Sequence, residues 1–224
     1  MSERKVLPYA LGFVTLGDLV QPVIEPGTQA LLEQSIHGTT YRPDQMQGRL
    51  QLVAYPEGHP EHAVSLLDRS IDVGGKHPGT ELYKIDLKVL TNNEIEVHAQ
   101  SISTESTLLL ERLEYPGDLK SFETVDCPCA EELEARLMAM YAEVMMRWFR
   151  GLLREREVRI GTRDIVYETR DATTALESAI DSEDVDTLRQ QIGVLRHYGE
   201  EVCQRTSLTA FPSQMPLIFF PEAS

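Results

Sequence analysis

Near Pro128 the spacing of apolar residues changes from every second position to every three or four. That one change confines the chain to folds in which a sheet is built from the first half and helices follow. Before it, the clearest segment is Glu81–Leu90, where Tyr83, Ile85, Leu87 and Val89 share one face and Lys84, Asp86 and Lys88 the other. That is the pattern of a strand wet on one side. Thr91, Asn92 and Asn93 supply a turn, because Asn tolerates positive φ, and Ile95, Val97 and Ala99 resume the alternation. The pair is predicted to form a hairpin. Further strands are expected at Tyr9–Leu16, Gly48–Tyr55, Ala63–Val73 and Thr107–Tyr115, the last stopped by Pro116-Gly117. Thr28–His37 reads as a short helix ended by Gly38.

From Pro128 a long amphipathic helix is expected. Asp126 or Cys127 can cap it, Pro128 suits its first turn, and Glu131, Glu132 and Glu134 sit at the positive end of its dipole. Leu133, Leu137, Met140, Tyr141, Val144, Met145, Trp148, Phe149 and Leu152 cover about half its circumference at ~100° per residue. Arg136, Glu143, Arg147, Arg150 and Arg154 lie opposite. Apolar coverage this wide places the helix on a sheet or between two layers, with Met138, Met140, Met145 and Met146 as adaptable filling or as a promiscuous binding face. Beyond it come a short strand at Val158–Tyr167, a helix begun by the capping box Thr174-Ala175-Leu176-Glu177, and a last helix at Glu183–Arg205. In that helix Val185, Leu188, Ile192, Leu195, Gly199 and Val202 form a seam suited to the preceding helix or to a second subunit. The apolar tail Leu217-Ile218-Phe219-Phe220, between Pro216 and Pro221, is expected to dock on its own domain or to reach a neighbour as an edge strand. The fold class is α+β: an antiparallel sheet with a covering helix over residues 1–156, and a helical extension with the tail over 157–224, as two units or one continuous domain.

At 224 residues the chain can bury a core without staples, and three cysteines make an odd number for a disulfide framework, which fits a reducing, cytoplasmic setting. Val6–Val20 contains Pro8, Gly12, Gly17 and Asp18 and falls short of the ~20 apolar residues of a bilayer span, so no membrane association is expected. A net charge of -15 argues against general nucleic-acid binding.

One region departs from that acidity. Arg147, Arg150, Arg154, Arg156, Arg159 and Arg163 face only Glu155 and Glu157. Arg147, Arg150 and Arg154, spaced along one helix face, form a row of guanidinium forks suited to an anionic partner. The acidic run Asp171, Glu177, Asp181, Glu183, Asp184 and Asp186 offers the other reading, pairing within the fold or between subunits. His59 and His62 with Cys127 and Cys129 have the donor types of a tetrahedral zinc site, although Cys-Pro-Cys is tighter than ordinary zinc spacing. Gly74–Thr80 lacks the P-loop spacing, His98 belongs to a polar strand face, and no nucleophile elbow or His-Glu-x-x-His pair is present.

These features favour a non-enzymatic interaction or assembly protein that acts on a protein partner, or on itself, through its C-terminal helices, charged blocks and apolar tail. The order of elements over residues 8–155 is similar in outline to helix-grip ligand-binding folds. That resemblance implies the alternative, a small-molecule-binding domain with a cavity between sheet and long helix. A metal-dependent enzyme is the third reading.

Overall fold

The computed structural model describes residues 7–28, 31–42, 44–74, 82–90, 94–152, 163–182, 184–206 and 217–221. The first half forms β1 (Ala10–Thr15), β2 (Leu19–Ile24), β3 (Leu32–Thr40), β4 (Gln47–Tyr55), β5 (Val64–Asp72), β6 (Tyr83–Val89), β7 (Glu94–Ser101) and β8 (Thr107–Glu114), six of them at the alternating segments and β2 and β3 outside them. Among the described residues three helices follow, α1 (Ala130–Leu152), α2 (Arg163–Ser182) and α3 (Val185–Thr206), and then a further strand, β9 (Leu217–Pro221). The fold is α+β.

The strands form two antiparallel ladders, β2-β1-β4-β5 and β3-β6-β7-β8, and β9 joins them by lying between β4 and β3. The far edges, β5 and β8, approach each other, with Arg69 bonded to Glu111 at 3.1 Å. One apolar core is held between the ladders. Phe13, Leu50, Leu52, Leu67 and Ile71 come from the first and Ile85, Leu87, Ile95, Val97 and Ala99 from the second. Each large side chain so buried contributes about 1.5–3 kcal/mol.

Helix α1 is apolar over half its surface because it serves two layers. Leu133, Leu137, Met140 and Val144 pack with Leu19 of β2 and Ile218 of β9. Tyr141, Met145, Trp148 and Phe149 pack with Leu176 of α2 and Leu188 and Leu195 of α3. The seam expected along α3 is used within the chain: Leu188, Leu195 and Val202 are buried in this second core.

Three local expectations are corrected. Residues 32–37 of the expected Thr28–His37 helix belong to β3, where Leu32, Gln34 and Ile36 pair with Val89, Leu87 and Ile85. Leu, Glu and Gln favour a helix locally, but a seven-pair ladder against β6 outweighs that preference. Arg163–Tyr167 of the expected Val158–Tyr167 strand opens α2, and residues 158–162 lie outside the described residues. Thr174 does not cap a helix; it is inside α2, and its hydroxyl donates to the Arg170 carbonyl at 3.1 Å. The cap of α3 is Asp184, whose carboxylate accepts from the Thr187 N–H at 3.1 Å and its hydroxyl at 2.7 Å. Strand β2, not expected, contains Pro22 and is accordingly an edge strand.

The expected hairpin is β6–β7, in register from Tyr83↔Ser101 to Val89↔Ile95; the turn at 91–93 lies outside the described residues. On its wet face Asp86 departs from the pattern, being only 5% exposed. Its carboxylate accepts from the Ser35 hydroxyl and from Lys84 Nζ at 2.9 Å. Burial pushes this carboxyl up, but the Ser35 hydroxyl and the Lys84 ammonium outweigh it and hold the group below the usual carboxylate range. Its contribution is therefore complete above the unfolded-state value of about 3.9 and fades as pH falls through the lower folded-state value. Asp86→Asn is expected to lower stability by about 1–3 kcal/mol at neutral pH. The gap to the parent closes as pH drops below about 4; urea unfolding across that range checks it.

Candidate functional site

The sequence brackets four apolar residues between prolines, and the structure places them where the sheet would otherwise be split. β9 runs parallel to β3, with Gly38↔Leu217, Thr39↔Ile218 and Thr40↔Phe219, and antiparallel to the first residues of β4, with Gly48↔Pro221 and Arg49↔Phe220. Strand alternation sends Leu217 and Phe219 into the core between the ladders and Ile218 to the opposite face, against Met140 and Val144 of α1. All three are fully buried.

Side chains from elsewhere hold the β9 backbone. The Thr15 hydroxyl accepts from the Ile218 N–H at 2.8 Å and donates to the Ile218 carbonyl at 3.0 Å. The same carbonyl accepts from the Leu16 N–H at 3.1 Å. Gln45 Nε2 donates to the Phe219 carbonyl at 3.1 Å, while Gln45 Oε1 accepts from the Tyr41 N–H at 3.0 Å. One buried amide thus ties the β3–β4 connection to β9. These contacts address the main chain of β9, leaving its side chains to be read by packing.

The packing around Phe219 depends on two glycines. A Cβ on Gly48 would lie 2.7 Å from Phe219 Cβ, and one on Gly38 would lie 2.9 Å from Phe219 Cε2 and closer to Cζ. Tyr83 meets the Phe219 ring edge-on, with centroids 5.5 Å apart at 65°, and donates its hydroxyl to the Val73 carbonyl.

Above the slot, α1 is latched to the end of β3. The Arg147 guanidinium lies 3.8 Å from the centroid of Tyr41 and donates to its hydroxyl, which also bonds Glu143 at 3.3 Å. Burial pushes the Tyr41 hydroxyl up, so it remains a neutral donor. Of the expected arginine row, Arg147 therefore meets an aromatic ring and Glu143 of its own helix, at 3.5 Å. The Arg150 side chain and Arg154 lie outside the described residues. In the acidic run, Asp184 caps α3 and Asp186 pairs with Arg189 at 3.4 Å.

His59 and His62 come together on the single 3-10 turn Pro60–His62, with Glu61 between them. Their ligand atoms and a Glu61 carboxylate oxygen lie within 4.8 Å of one another, and His59 Nδ1 is 2.9 Å from Glu61 Oε1. This two-His, one-carboxylate set can take a divalent transition metal. Neither Cys127 nor Cys129 is in the group. Cys127 is buried beside Tyr55 and Ala63, and burial, then Asp18 and Asp126, push its thiol up to about 11, which keeps it protonated and a weak nucleophile. Gly75–Thr80 lies outside the described residues, and His98 bonds Thr107 at 3.1 Å on the sheet surface.

A groove of about 560 Å³ runs between α1 and α3, with Pro22 of β2, Leu137, Tyr141 and Ile192 along it and Arg189 paired with Glu134 at its rim. No helix among the described residues is long and apolar enough to cross a membrane.

Sequence reasoning missed Thr15, Gln45, Gly38 and Gly48 as parts of one site. A glycine inside a strand does signal close approach by another group; Gly38 was read as a helix stop and Gly48 as a strand start. No protein-family model matches the chain, and no curated protein matches it in sequence.

Proposed function

We propose that this chain is a non-enzymatic protein-interaction protein whose sheet grips an extended apolar segment by strand addition, its own residues 217–221 being the occupant in this structure. One observation carries the proposal: a five-residue strand, remote in sequence, completes the sheet by pairing with β3 and β4, its main chain held by the Thr15 hydroxyl, the Leu16 N–H and the Gln45 side-chain amide. Strand addition of this kind gives affinity through the backbone and selectivity through alternate side-chain pockets. The balance of terms favours exchange. Burying three large apolar side chains contributes about 1.5–3 kcal/mol each, and fixing five residues costs about 1–2 kcal/mol each. The two totals nearly cancel, so the tail is held only marginally and a partner segment of similar chemistry can take its place. Helix α1, held by the Tyr41–Arg147 latch, covers the occupied slot at Ile218. We propose a reducing, cytoplasmic setting, in keeping with three cysteines, an odd number for a disulfide framework.

The test uses the full-length chain. The tail competes in cis at an effective concentration on the order of millimolar, so Ile218→Asp, which puts a carboxylate where Ile218 is buried, is expected to empty the slot. That variant should bind a labelled peptide with the sequence of residues 216–221 at least about 10-fold more tightly than the parent. A variant with the parent's circular dichroism spectrum that binds no apolar peptide would overturn the proposal.

A further inference from the structure

We infer that the slot selects a segment carrying an aromatic ring at the position of Phe219 and aliphatic side chains at the two preceding positions, with Gly38 making room for the ring and Gly48 for its Cβ. The inference rests on the strand-binding reading above and names the partner chemistry of the same slot.

The two glycines supply space, since neither has a positive φ and other residue types could adopt the same strand backbone. Glycine within a strand is destabilising by roughly 0.5–1 kcal/mol relative to alanine, so its presence on both walls facing one ring calls for a compensating contact. Phe219 makes that contact. Its ring and Cβ fill the volume that side chains at positions 38 and 48 would occupy. Behind the ring the pocket is closed: a Cβ at 38 would meet Ile85 Cδ1 at 3.2 Å, and one at 48 would meet Val73 Cγ1 at 3.2 Å. Tyr83, fixed by its hydroxyl bond to Val73, supplies the edge-on ring face. A leucine there would leave a gap beside Tyr83, and an indole would press on both strands.

The middle position is more permissive. Ile218 packs on Met140, Val144 and Leu19, and a methionine wall adjusts to different aliphatic shapes. Leu217 returns to the inner core beside the ring position. The resulting pattern is aliphatic, aliphatic, aromatic, running parallel to β3. The position aligned with Phe219 is the most strictly read.

The test measures peptide binding to full-length Ile218→Asp by fluorescence anisotropy. Against the peptide of residues 216–221, changing the residue aligned with Phe219 to leucine should weaken binding about 10-fold, and to alanine at least about 100-fold. Adding Gly38→Ala, whose Cβ would meet Cζ and Cε2 of the ring, should erase the preference for the aromatic peptide, while binding of the leucine peptide, which lacks those atoms, stays within about 3-fold of its value without that change. Equal affinity for the three peptides overturns the inference and leaves strand binding intact; no binding by any of them overturns the strand-binding reading itself. Should Ile218→Asp fail to fold, the same peptides are compared as competitors of the tail in the parent, read by hydrogen exchange at the Ile218 amide of the tail, which is bonded to Thr15 only while the tail is in place. There only the aromatic peptide should change protection, and equal effects from all three would overturn the inference.

Discussion

Trp148→Ala is expected to lower the free energy of unfolding by about 3–5 kcal/mol. Trp148 is the one tryptophan of the chain, is 1% exposed, and meets Phe149 edge-on with centroids 4.9 Å apart. It lies on the α1 face that serves α2 and α3, and that core has Ala142, Leu176, Leu188 and Leu195 as its most buried members, at 0% exposure. The loss should therefore be distributed unevenly. Hydrogen exchange is expected to accelerate through α2 and α3, while β6 and β7, which pack in the other core, keep their protection. Leu137→Ala, on the sheet-facing side of α1, should loosen β2 and β9 first. Uniform acceleration in both variants would show that α1 transmits every loss to both layers and that the molecule unfolds as a single unit.

Gly48→Val is expected to expel β9. A side chain at position 48 collides with Phe219, and overpacking of this kind costs about 1–3 kcal/mol. That is comparable to the whole margin holding the tail. β4 itself should tolerate valine, which suits a strand and needs no unusual φ. The expected result is a protein with native β4–β5 pairing whose residues 217–221 are cut by protease at least about 10-fold faster than in the parent. Gly117→Ala is the control, because a Cβ there meets nothing within 4 Å. Protection of the tail in Gly48→Val would mean that β9 can shift within the sheet without leaving it.

What could be read from the sequence was what repeats at short range. The β6–β7 hairpin was legible because Tyr83, Ile85, Leu87 and Val89 alternate with polar residues over one continuous run. The two-sided role of α1 was legible in the width of its apolar face. β3 was not, because its pairing with β6 is decided by residues some 50 positions away, as in Ser35 to Asp86, while its local composition favours a helix. The tail was recognised as a docking segment, but its place was hidden: the slot is assembled from β1, both ends of the β3–β4 connection, and α1. Arg147 shows the same limit. A charge tally sets it against acidic residues, whereas its main partner is the ring of Tyr41, 106 positions earlier.

The bonds between Thr15 and Ile218 span 203 positions. At translation rates of about 5–20 residues per second, β1 waits roughly 10–40 s for the segment that completes its sheet. Through that interval, on a nascent chain whose earlier strands have already emerged, the cleft between β3 and β4 is vacant and apolar. The first extended segment it can meet need not be its own.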